Sequence, residues 1–103
     1  MNEVPSDTKA VRVYILGRVQ QVGFRYWTID AAVSRGLDGW VRNRHNGTVE
    51  AVFIGPIQEV DDMLTACGDG PPAALVNCVL QSELDDEQQT ELTGQGFSAR
   101  QTE

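Results

Sequence analysis

Two short segments hold residue types that could handle a small anion. The first is Gly17-Arg18-Val19-Gln20-Gln21-Val22-Gly23-Phe24-Arg25, a glycine-bounded loop running from an alternating segment into a helical one. A loop so placed can aim several main-chain N–H groups into one hollow, where the helix dipole also favours negative charge. Arg25 falls in the first helical turn, and its planar fork of donors matches two phosphate oxygens better than an ammonium does. The second segment is Gly39-Trp40-Val41-Arg42-Asn43, at the end of a short strand. The Asn43 amide can accept from a water at its oxygen while its NH₂ donates elsewhere, enough to hold a nucleophile in line. Each segment also has an ordinary reading: a β-α connection with a solvated arginine, and a hairpin with asparagine as a turn residue. Spacing alone leaves both readings open.

Charge supports a local anion site. The 103-residue chain carries a net charge of −7, which argues against non-specific binding to nucleic acid or to an anionic membrane. Yet seven of the eight basic residues lie between Lys9 and Arg44, with only Asp30 and Asp38 among them. An acidic chain with one basic segment fits a small anionic ligand. No apolar run approaches the roughly 20 residues that span a bilayer. The opening MNEVPSDTK lacks a basic n-region and an apolar h-region, so the chain reads as cytoplasmic. Cys67 and Cys78 allow one bridge at most, and both read as small buried hydrophobes. With one histidine, His45, and no close ligand spacing, no metal site or cofactor is expected.

The elements that must position these residues follow from periodicity. Residues 1–8 read as a loose tail preceding one domain over 9–103. Lys9 to Gly17 alternates, with Val11, Val13 and Ile15 on one face, and predicts a strand. Val22, Tyr26, Ile29 and Val33 fall at helical spacing, and Arg35-Gly36 closes that helix. Leu37–Arg44 and Thr48–Ile54 predict two strands joined by His45-Asn46-Gly47, a strong hairpin signal. Ile57, Val60, Leu64 and Cys67 predict a second helix, which Gly68-Asp69-Gly70-Pro71-Pro72 terminates. Ala74–Glu83 reads as a fourth strand, Asp85–Gly96 as an acidic polar connection, and Phe97–Gln101 as a short edge strand. The order β-α-β-β-α-β plus a short C-terminal strand implies an α+β, ferredoxin-like split βαβ sandwich. Its two helices would pack on one face of a mostly antiparallel sheet.

Together the two segments match a family pattern. The first resembles the signature of the acylphosphatases, small ferredoxin-like enzymes that hydrolyse acyl phosphates. The second, Gly39-Trp40-Val41-x-Asn43-x-x-x-Gly47-x-Val49 continuing to Gly55, is similar to the family's other signature throughout. The likeness extends through Gly70-Pro71-Pro72-Ala73-Ala74 to Gly96-Phe97, and so covers Lys9 to Arg100. It implies a phosphate-binding loop of Arg18, Val19, Gln20, Gln21, Val22, Gly23 and Phe24 acting through main-chain amides. Arg25 would be the substrate-binding arginine, and Asn43 the residue that positions the attacking water. It implies no cofactor and a small anionic acyl phosphate as substrate; a small monomer is the default expectation for a chain of this size. The chain departs from the pattern at Gln21, where the family has glycine, at Ala99, and in the extension Gln101 to Glu103.

Few groups would suffice for that reaction. The leaving group is a carboxylate of pKa roughly 4–5, which needs no general acid. Gln21 keeps an alternative open, a non-catalytic phosphate-binding module of the same fold or an isolated relative of the acylphosphatase-like domain of carbamoyl-transfer proteins. A third class, RNA binding on an RRM-like sheet, fails on charge and on the missing aromatics of the central strands. Remaining candidates read as structural. His45 is a solvated hairpin residue, Tyr26 and Trp27 are packing residues, and Trp40 is core or rim. Glu83-Leu84-Asp85-Asp86-Glu87 is a solvated loop. Arg18, Arg42 and Arg44 either raise the local potential for an anion or are solvated strand ends.

Overall fold

Residues 7–103 are described by a computed structural model. In β1 (Thr8–Arg18) the alternation holds: Val11, Val13 and Ile15 are buried, while Arg12, Tyr14 and Leu16 point to the other face. There follow α1 (Phe24–Ser34), β2 (Asp38–Asn43), β3 (Val49–Pro56), α2 (Ile57–Asp69), β4 (Leu75–Glu83), α3 (Asp86–Leu92) and β5 (Phe97–Ala99). The strands form one sheet in the order β4-β1-β3-β2-β5. All pairings are antiparallel except that of β2 with β5, which is parallel. This is the split βαβ plan the element order predicts. Of the tail expected over 1–8, positions 1–6 lie outside the described residues, and Thr8 already pairs with Pro56 inside the sheet.

Both long helices cover one face. Phe24 and Ala32 from α1, with Val60, Met63 and Cys67 from α2, pack on Val13, Ile15, Val41, Ala51 and Phe53. The buried row of α1 is Phe24, Thr28 and Ala32, not the expected stripe, for Tyr26 is 78% and Val33 58% exposed. The two rows have similar helical spacing, and the rotation is set where the helix begins. Val22 lies in the loop, so Phe24 becomes the first inward residue. Thr28 tolerates burial because its hydroxyl donates to Phe24 O at 2.8 Å. In α2, Met63 takes a core place and Ile57 stays outside.

The opposite face carries a second, smaller core of Trp40, Val52, Ile54 and Leu84, with Ala10 and Leu92 against it. Part of this cover comes from α3, which lies within the stretch expected to be a connection. Asp85 caps it, accepting from Gln88 N at 2.8 Å. Cys78 also departs from expectation. It is exposed, for β4 is an edge strand from which Val76 and Val79 pack against the helix-covered core. Cys67 is buried, and burial pushes its thiol up to about 12 although Arg35 pulls the other way, so it stays protonated.

Candidate active site

The loop after β1 begins at a forced point. The pairing with β4 slips between Leu16 and Gly17, and Gly17 takes φ 132°. A Cβ there would sit 2.2 Å from Leu75 O, so only glycine lets the two strands close. Val19 then plugs the loop into the core at 1% exposure. Gln20 turns away from the hollow, and its Nε2 donates to Arg44 O at 2.7 Å and Thr48 O at 2.9 Å. Those carbonyls form the neck of the β2–β3 hairpin, where Arg44 N also donates to Thr48 O. The side chain of Gln20 thereby ties the loop to the hairpin that carries Asn43.

Gln21 occupies the left-handed region at φ 63°, the one non-glycine to do so among the described residues. It stands where the family pattern has glycine, and it adopts the conformation glycine favours. Gly23 follows at φ 80° and opens α1 with no side-chain cap and no acid in the first turn. The first main-chain bond of the helix is Trp27 N to Gly23 O at 3.0 Å. Among the described residues, no main-chain N–H from Gln20 to Tyr26 donates to a protein acceptor. A row of donors at the positive end of a helix is therefore unspent.

Arg25 and Asn43 meet over that row. Both line a concavity of about 200 Å³, together with Val19, Gln21, Gly23, Phe24 and Tyr26. Asn43 ends β2 opposite Val49, on the same face as buried Val41, which turns its side chain toward the helices. Of the expected loop residues, Arg18, Gln20 and Val22 do not line the hollow. Arg18 is paired at the end of β1 with Leu75, and Val22 packs against the core. Two larger depressions lie elsewhere. One, near Pro56, carries Asp7 and Glu59, and the other, beside α3, carries Glu83 and Asp86 against Lys9 alone. Neither gathers unpaired N–H groups with an arginine.

The basic segment is mostly neutralised in place. Lys9 pairs with Asp61 and Arg35 with Asp62. Glu50, 2% exposed, takes Arg42 Nε at 2.9 Å, Arg44 Nη1 at 3.0 Å and Arg12 Nε at 3.2 Å. The Arg12 contact is an ion pair without hydrogen-bond alignment. Burial pulls the pKa of Arg42 down, but the hydrogen bonds and charges of Glu50 and Glu103 outweigh it and raise it. Arg42 and Arg44 are thus spent on a structural carboxylate. Arg25 and Arg18, by contrast, have no carboxylate within 4.0 Å among the described residues. No three His, Cys, Asp or Glu side chains converge as metal ligands among the described residues, and no helix there could cross a membrane.

The chain is similar to known proteins over most of its length. The acylphosphatase family matches residues 11–98. An acylphosphatase from Rhizorhabdus wittichii is 43% identical over 96 residues, covering 93% of this chain and 92% of its own. One from Nostoc sp. is 57% identical over 79 residues, covering 76% and 78%. The solved acylphosphatase of Coxiella burnetii superposes with a TM-score of 0.82 at 30% identity, covering 91% of this chain and 94% of that one. The chain belongs to the acylphosphatase family.

Proposed function

We propose that the protein hydrolyses acyl phosphates to a carboxylate and inorganic phosphate by direct in-line attack of water, without a metal. What carries this reading is the meeting of Arg25, the unspent N–H groups of the loop and helix start, and Asn43 on one concavity. The N–H groups and the Arg25 fork hold the phosphoryl oxygens. In a loose transition state charge gathers on those oxygens, so donors already in place stabilise it without reorganising. Asn43 accepts a hydrogen bond from the water and sets it opposite the leaving oxygen. The new P–O bond forms as the bond to the acyl oxygen breaks, and the electron pair leaves with the carboxylate. The water's proton passes to a phosphate oxygen of the substrate. Positioning and electrostatics supply the catalysis, which needs no general acid for so weak a base.

The rival reading, binding without turnover, rests on Gln21. Its φ of 63° lets the loop keep the shape that glycine would give, which favours the enzyme. The reading takes the protein as a cytoplasmic monomer with no nucleic-acid partner. The test is hydrolysis of benzoyl phosphate in EDTA. Wild type turns over, and Arg25→Ala and Asn43→Ala each lose about 10²–10³-fold or more in kcat/KM. Equal rates in wild type and Arg25→Ala would refute the site. A silent wild type awakened by Gln21→Gly would favour the binding module instead.

A further inference from the structure

The edge of β2 that faces away from β3 is closed by β5 and, past it, by residues the family match does not reach. That match ends at residue 98. β5 pairs with β2 only over Gly39, Trp40 and Val41. Beyond it the chain continues alongside, with Arg100 N donating to Val41 O at 2.9 Å. Glu103 then clasps the β2 arm of the hairpin on either side of Arg44: its N–H donates to Asn43 O at 3.2 Å, and its carbonyl accepts from His45 N at 3.2 Å. Its carboxylate pairs with Arg42 Nη1.

Main-chain groups alternate in direction along a strand. Arg44 N points to β3, where Thr48 O accepts it, so the carbonyl of Asn43 points the other way. The pairing of Asn43 with Val49 leaves that carbonyl unused, and Glu103 is its partner. The backbone at Asn43 is therefore steadied from the β3 side by the hairpin and from the outer side by this strap. Rotation of the strand end about its own axis would swing the Asn43 amide through the hollow, and the strap opposes that rotation.

We propose that Glu103 is a positioning residue for the reaction, fixing the water-holding Asn43 through its main-chain clasp on Asn43 and His45. The inference rests on the function proposed above. It separates the site into two parts. The phosphate cradle, built on Arg25 and the loop, does not touch the strap, whereas the water-holding residue does.

Removal of residues 101–103 and, separately, Glu103→Pro, which deletes the N–H donor, test this with benzoyl phosphate. In both variants kcat falls about tenfold, a modest share of what a misplacement near 1 Å can cause. KM and inhibition by inorganic phosphate stay within about twofold, because the cradle is intact. The conservative Glu103→Gln, which keeps the main chain and the side-chain length, restores most of the rate. Hydrogen exchange at the His45 amide speeds up in the truncated chain. A kcat within twofold of wild type in both variants would overturn the inference, as would kcat and KM shifting together with the fraction unfolded. A wild type without activity would instead sink the functional reading, and this one with it.

Discussion

Gln21 holds the main chain at φ 63°, where a Cβ costs about 1–2 kcal/mol. Glycine would relieve that strain but gives back roughly 0.5–1 kcal/mol in unfolded-state entropy. Gln21→Gly therefore raises stability by at most about 1.5 kcal/mol in urea titrations, while kcat/KM stays equal or rises. Gln21→Val, β-branched and poorly suited to that region, lowers stability instead. At this scale the sequence was informative where a short spacing from a glycine fixes a residue's place, as for Arg25 and Asn43, which line one concavity. It was silent on the side chain of Gln20, whose acceptors are main-chain carbonyls 24 and 28 residues away. It also left Arg42 and Arg44 undecided, because their partner Glu50 becomes central only once β2 and β3 pair.

Helix α3 is only seven residues long and has no buried residue of its own, so its cap carries much of its stability. Asp85→Ala removes the bond to Gln88 N and lowers stability by about 1 kcal/mol. Tryptophan emission shifts to longer wavelength as Trp40 loses cover, and benzoyl phosphate turnover is unchanged, since α3 lies on the face away from Arg25. This helix shows why elements were unevenly legible. β1 and the Asn46-Gly47 hairpin carry period-two alternation and turn chemistry, which short-range physics reads well. In α3 no apolar repeat exists, and the one signal was Asp85 placed three residues before Gln88. α1 was legible as a helix but not in its rotation, because two apolar rows competed and the left-handed turn at Gly23 decided between them.

For the whole molecule, the sheet divides the labour. One face holds the helices and the concavity, and the other holds Glu50 ringed by Arg12, Arg42 and Arg44. Glu50→Gln leaves those guanidiniums without their shared counter-charge. Removing one partner of a fully buried pair costs about 3–5 kcal/mol, and here solvent still reaches the arginines, so about 2–4 kcal/mol is expected. Chemical denaturation measures this loss, while KM for benzoyl phosphate holds steady because Arg25 takes no part in the cluster. The bare opening of α1 has a wider consequence under the proposed function. A phosphoryl group is the cap that Gly23 does not supply, so occupancy and folding draw on the same N–H groups. A ligand held only by the native chain adds about 2.7 kcal/mol at a hundredfold excess over its Kd. The molecule is sturdiest while working and most fragile when idle.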